Sequence, residues 1–264
     1  MRKIIQHFWI YLVLGFLYLP ILILAFYSFT SSTIIGSVRG FSFDNYVTLF
    51  TEDALISMMI GTVLLALGVG LLSTILGTLG AIGAFYSKKG VRLTIELANE
   101  VPIVNADVVT GFSVCILLIV LLRIDKASFI PLVIAQTALC APFVYLSVLP
   151  RLKQMDGALY EAGLDLGCTP PQALWKIVLP QIVPGILSGF MTAITLSLDD
   201  YFIATYTKPA TFDTISTYVV NATRGSQTSI KTALWALSAI IFVIVVISVV
   251  IMNINSTEEE GGRA

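Results

Sequence analysis

Long stretches without a charge constrain this chain more than any other feature. Residues 4–38, 54–87, 127–150, 177–198 and 232–257 contain no Asp, Glu, Lys or Arg, and 101–122 contains only Asp107. Each offers the ~20 residues that a helix needs to cross a ~30 Å hydrocarbon core. Helices are the expected solution, because each backbone polar group in lipid must be satisfied inside its own segment. Over all 264 residues, 57% are hydrophobic and only 12% charged, about half the ~25% charged share of a soluble domain. A formal net charge of -1 excludes a basic nucleic-acid binder, and the single histidine, His7, leaves no material for a histidine-based metal or catalytic cluster. Cys115 and Cys140 lie in apolar runs, which argues against a disulfide framework.

The fold class expected is therefore an all-α integral membrane protein with six transmembrane helices, near 8–29, 58–86, 100–122, 128–149, 183–206 and 232–253. The organisation expected is a first helix with an extracellular loop (1–57), a core of five helices (58–254) and a disordered tail (255–264). The first apolar stretch is longer than a signal-peptide core and is followed by Tyr27-Ser28-Phe29-Thr30 rather than a small-residue cleavage site, so it reads as a retained helix. Placing both termini in the cytoplasm puts Arg2, Lys3, Lys88, Lys89, Arg92, Arg151, Lys153, Lys176 and Arg263 on the inside, nine of the 15 basic residues. The second helix carries Ser73, Gly77 and Ala81 four residues apart, a spacing that lets helix backbones approach closely in lipid.

A minimal bundle needs only short turns, yet 33 residues (150–182) separate the fourth and fifth expected spans. Asp156 suits a helix start, and Leu159, Ala162, Gly163 and Leu166 follow helical spacing. Gly167 suits a left-handed C-terminal cap, and Thr169-Pro170 opens a second helix with an apolar stripe of Leu174, Ile177 and Val178. The pattern is an amphipathic helix–turn–helix. Its spacing, Glu161-Ala162-Gly163, three residues, Gly167, nine residues, then Ile177-x-Leu179-Pro180, resembles the EAA loop of ABC importer permeases. The third position departs from the pattern, being Gly163 rather than alanine.

The resemblance extends over nearly the whole chain. Tyr18-Leu19-Pro20 running to Ser28-Phe29-Thr30 resembles the first helix of these permeases. Ser197-Leu198-Asp199-Asp200-Tyr201-Phe202 and Asn105-Ala106-Asp107-Val108-Val109 resemble acidic stretches of the polyamine branch, the second permease subunit of bacterial spermidine/putrescine importers. The resemblance implies a type I importer fold in a bacterial cell membrane. Its partners would be a second permease subunit, two ATP-binding subunits that hold ATP and Mg²⁺, and an extracellular solute-binding protein. It implies that the loop from Glu161, Ala162 and Gly163 through Gly167 to Ile177, Leu179 and Pro180 docks on the ATPase. It implies that Asp107, Asp199, Asp200, Tyr201 and Phe202 belong to the solute pathway. No cofactor is expected in this subunit, which has no G-x-x-x-x-G-K-[ST] phosphate loop.

The charges point the same way without the resemblance. Ionisable residues inside spans are costly and are functional candidates by default. The candidates, Glu96, Glu100, Asp107, Asp199 and Asp200, are all acidic, which suits a cationic solute. Glu96 follows Arg92 by four residues and reads as its ion-pair partner. Thiamine or another organic cation is an alternative cargo. A secondary transporter using the acids as a relay is an alternative function, but it gives the 33-residue loop no purpose. Helical periodicity separates the adjacent acids. Asp199 shares a stripe with Ser188, Thr192 and Thr195, continuing to Phe202 and Tyr206. Asp200 shares one with Gly189, Ala193, Ser197 and Ala204, suited to helix packing. Asp199 is expected to face the pathway and Asp200 a neighbouring helix.

Overall fold

The computed structural model describes residues 2–30, 40–224, 234–240 and 242–243, and its only strand-like feature among them is an isolated bridge between Thr30 and Phe41. The helices are α1 (Arg2–Ser28), α2 (Asp44–Thr51), α3 (Asp53–Tyr86), α4 (Lys89–Val104), α5 (Asp107–Cys115), α6 (Ile130–Gln154), α7 (Ala158–Asp165), α8 (Pro170–Ala173), α9 (Leu179–Asp199), α10 (Phe202–Thr207) and α11 (Ile215–Arg224). A π-helical segment, Ile116–Leu121, prolongs α5, and another, Leu174–Val178, joins α8 to α9. Two compact units are present, one from residues 1–57 and 219–264, the other from 58–218.

Four helical stretches among the described residues are long and apolar enough to cross a membrane: Trp9–Ser28, Asp53–Tyr86, Ile130–Gln154 and Pro170–Asp199. They correspond to the first, second, fourth and fifth expected spans. The third departs from expectation. Instead of one helix over 100–122, α4 and α5 meet at a bend of 108°. Pro102 weakens the last turn of α4, and Asn105 and Ala106 then take extended backbone. The Asn105 amide donates to Thr110 Oγ1 at 3.1 Å, a local bond that competes with helix continuation. The stretch Asp107–Leu121 is only about 22 Å long, short of a full crossing.

The fifth span also differs at both ends. It starts at Pro170, well before residue 183, so the second arm of the loop is continuous with the span. It stops at Asp199, because Asp200 is extended (φ -66°, ψ 115°) and α10 is a separate short helix. Of the sixth expected span, 234–240 and 242–243 are described and helical; the tail at 255–264 lies outside the described residues.

In the 58–218 unit, α6 is the most enclosed of the long helices. It runs antiparallel to α9 against a ladder of small residues spaced by four. Gly185 lies against Ser147 and Arg151, and Gly189 lies against Val144. Cys140 Sγ donates to the Ala193 carbonyl at 3.6 Å, and Ser197 Oγ donates to Gln136 Oε1 at 2.9 Å. Val144 is gripped from the other side by α3. A methyl group on Gly77 would sit 2.7 Å from both the Ala141 carbonyl oxygen and Val144 Cβ. Ser73 and Ala81, one turn away on either side of Gly77, are fully buried as their spacing predicts. Lipid gives helices no hydrophobic reason to associate, so this backbone approach carries the packing.

The ladder makes a specific prediction. Gly77→Ala overpacks the α3–α6 contact and should destabilise the subunit by about 1–3 kcal/mol. Gly68→Ala on the same helix meets nothing within 4 Å, so it should be neutral or gain up to about 1 kcal/mol from helix propensity. Thermal unfolding of the two purified variants in detergent should show a lowered midpoint for Gly77→Ala alone.

Candidate functional site

The two helix breaks come together. α5 and α10 pack through Gly111, where an added methyl would lie 3.1 Å from Ile203 Cα. Phe112 and Tyr206 meet edge to face with ring centroids 5.8 Å apart, and Cys115 Sγ donates to the Tyr206 carbonyl at 3.3 Å. Chain that leaves helical geometry at membrane depth needs its polar groups satisfied by protein or a wet cavity. Asp200 supplies that for the second break. Its carboxylate accepts from the Ile203 and Ala204 N–H groups at 3.0 and 2.9 Å, opening α10 as a capping residue does. It also accepts from Gln136 Nε2 at 2.9 Å, and Gln136 in turn accepts from Ser197. All three partners of Asp200 donate, as an acceptor-only carboxylate requires.

Asp200 is thus buried and held by α6, whereas Asp199 is exposed. This is the division that the two stripes predict, although the stripes themselves end at the break. Ser188 and Thr195 are exposed on the Asp199 side, and Gly189, Ala193, Ser197 and Ala204 are all buried. Asp107 is not deep within a continuous helix, as a straight span would place it. It is the first residue of α5 and is exposed. A carboxylate there also complements the N-terminal end of the helix dipole. Tyr201 and Phe202 stand beside the acids with ring centroids 5.2 Å apart. Asp107 and Asp199 have no ion-pair partner among the described residues. Lys208, the basic residue closest in sequence to Asp199, is occupied by Asp213 at 2.8 Å and by the Phe212 carbonyl at 2.9 Å. Glu96 pairs with Arg92 at 2.9 Å, as their spacing predicts.

The loop between α6 and α9 forms the expected hairpin. Asp156 Oδ1 accepts from the Ala158 N–H at 3.0 Å to start α7. α7 ends in a Schellman turn: Cys168 N–H donates to the Gly163 carbonyl, Gly167 N–H to that of Leu164, and Gly167 has φ +89°. Thr169 then caps α8, its N–H bonding Gln172 Oε1 at 3.1 Å in a reciprocal capping box. Gly163, the departure from alanine, is buried against the end of the Ile177 side chain, so the two arms meet residue on residue. The π segment has a local cause. Pro180 has no N–H with which to close its turn, and the Leu179 N–H reaches back five residues to Leu174. Glu161 and Ala162 remain exposed. The hairpin rests on the end of α3 through Tyr86 and Tyr160, whose rings are 5.0 Å apart.

Gln136 is the functional residue that reading the sequence overlooks. It is fully buried and joins α6, α9 and α10. Its signal was available, a carboxamide inside an otherwise apolar run, but its partners lie 61 and 64 residues away.

Residues 4–256 match the family described as binding-protein-dependent transport system inner membrane component. The putrescine transport system permease protein PotI of Escherichia coli K12 is 33% identical over 224 residues, 81% of this chain and 78% of its own. The spermidine/putrescine transport system permease protein PotC of Haemophilus influenzae is 27% identical over 252 residues, 96% of each chain. A bacterial ABC transporter that imports the acidic polysaccharide alginate aligns with a TM-score of 0.71 at 22% identity, covering 95% of this chain and 96% of that one. The alginate transporter bound to its oligosaccharide-loaded periplasmic protein aligns equally well, at 21% identity over 93% and 91% of the chains. These structures share the fold, and their acidic cargo says nothing about the solute here. With the helical architecture, the hairpin and the match over residues 4–256 in agreement, the chain belongs to the binding-protein-dependent inner membrane components, the multi-pass permease subunits of ABC importers.

Proposed function

We propose that this permease carries polyamines of the spermidine/putrescine type, driven by ATP hydrolysed on separate subunits. The observation that carries the reading is Asp199, an exposed carboxylate at the junction of two broken helices with no cation partner among the described residues. Asp107 adds a second exposed carboxylate. Tyr201 and Phe202 offer ring faces for ammonium groups and apolar walls for the methylene chain between them. The relatives named for putrescine and spermidine/putrescine transport support the same cargo.

In this reading both termini and the hairpin face the cytoplasm, in a bacterial inner membrane crossed six times. The exposed Glu161 and Ala162 on α7 contact an ATP-binding subunit that holds ATP and Mg²⁺. Ile177, Leu179 and Pro180 lie in the continuous helical stretch that leads to Asp199. A second permease subunit completes the pathway, and an extracellular solute-binding protein delivers the cargo. The reconstituted complex with its binding protein should hydrolyse ATP faster when spermidine or putrescine is added. A response to another cation such as thiamine, with none to polyamines, overturns the cargo. Uptake without the ATP-binding subunits overturns the coupling.

Two variants divide the adjacent acids. Asp199→Asn should cut polyamine uptake severalfold at normal complex yield. Asp200→Leu strands the Gln136 amide and two backbone N–H groups, each worth about 1–3 kcal/mol when buried and unpaired, and should lower the yield of assembled complex. The reverse pattern sinks the assignment. Asp107→Asn should reduce uptake with assembly intact.

Gly167→Leu tests the hairpin. A side chain at φ +89° is strained, so the turn that aims α8 should distort. The subunit should still insert, since the turn lies outside the spans, while polyamine-dependent ATP hydrolysis and uptake are lost. Wild-type uptake by this variant would remove the hairpin from the coupling path.

A further inference from the structure

α2 presents three chemically distinct faces. At about 100° per residue, Phe43, Tyr46, Val47 and Phe50 cluster on one side of the helix. Asp44, Thr48 and Thr51 occupy a second side, and Asn45 and Leu49 a third. The third side is buried, with Asn45 6% and Leu49 0% exposed, whereas Phe43, Val47 and Phe50 are 56%, 58% and 58% exposed. A helix surrounded by water has no use for an exposed side of that composition.

The position of α2 identifies what covers it. Asn45 Nδ2 donates to the Ser28 carbonyl at 2.9 Å and to the Thr30 carbonyl at 3.0 Å, pinning α2 to the C-terminal end of α1. Ser28 Oγ and Tyr46 OH add a bond of 2.9 Å. α1 is long and apolar enough along Trp9–Ser28 to cross a membrane, and it exposes large apolar side chains from Trp9 to Phe26, so α2 sits where the chain leaves the hydrocarbon. The rings of Phe29, Phe41, Phe43 and Tyr46 pack on one another at 5.0–6.2 Å where α1 ends, as aromatic side chains gather at a bilayer boundary. The outward side of α2 thus lies at the level where α1 ends.

We propose that α2 is an in-plane interfacial helix, with Phe43, Val47 and Phe50 inserted into the acyl boundary of the leaflet at the C-terminal end of α1. The Asp44–Thr48–Thr51 side then faces the headgroup water, and Asn45 and Leu49 face protein, so each side meets a medium it suits. The helix braces the exit of α1 from the membrane. This assignment is independent of the cargo and of the coupling hairpin.

Nitroxide labels on single cysteines at Val47, Phe50 and Asp44, in full-length chain with Cys115, Cys140 and Cys168 replaced, test it in vesicles of phosphatidylcholine and phosphatidylglycerol. Labels at 47 and 50 should collide severalfold more with oxygen than with a water-soluble nickel chelate, and the label at 44 should reverse that ratio. Strong nickel contact at 47 and 50 would mean that the side faces water, which overturns the proposal. Low contact with both agents would mean protein cover, by a second permease or the solute-binding protein, and overturns it equally. If the cysteine-free chain fails to fold, Val47→Trp and Asp44→Trp in the natural chain give the same answer. Brominated lipid should add quenching over the parent only for Val47→Trp, and equal quenching of the two rejects the insertion.

Discussion

The approach of α9 to α6 through Gly185, Gly189, Ala193 and Ser197 sets where everything else in the 58–218 unit can be. In lipid the two helices gain nothing by hiding apolar area from each other, and dispersion contact depends on how close the backbones come. Four small residues at intervals of four form a flat track along α9. Val144, clasped by Gly189 on one side and Gly77 on the other, locks the register. A slip of one residue would turn the track away from α6.

That register delivers the polar chemistry to its place. The last rung of the ladder is Ser197 on Gln136, and Gln136 holds Asp200. Asp200 ends one helix and starts the next, since its carboxylate takes the first free N–H groups of α10. α10 carries Ile203 to Gly111 and so positions α5, whose first residue is Asp107. A chain of contacts therefore runs from apolar packing to the acids. Burial of one acid leaves its neighbour, Asp199, on the open side.

Much of this was legible because the signals are local. Charge-free runs gave the long helices, the four-residue spacing gave Ser73, Gly77 and Ala81, and Asp156, Gly167 and Thr169 are capping residues where capping is needed. The breaks were not legible as breaks. Neither Asn105-Ala106 nor Asp200-Tyr201 contains glycine or proline, and hydropathy runs through both. What interrupts the helices, beside Pro102 three residues before the first break, is side-chain competition: Asn105 bonding Thr110, and Asp200 bonding N–H groups that it would not meet in a continuous helix. Gln136 stayed hidden because a long-range partner leaves no periodic trace. The separation of Asp199 from Asp200 survived the break because the rest of α9 already committed one side of the helix to α6.

The unbroken stretch Pro170–Asp199 has a mechanical consequence. From Gly185 to Ser197 it is held to α6 at every turn, so its free arm is the part from Pro170 to Gly185, about 22 Å long, on the hairpin side. The π segment and Pro184 both sit on that free arm, so the compliance lies there and the stretch that ends at the acids stays stiff. The acids are thereby held on the clamped end of the helix, and any bending falls on the end that carries the hairpin.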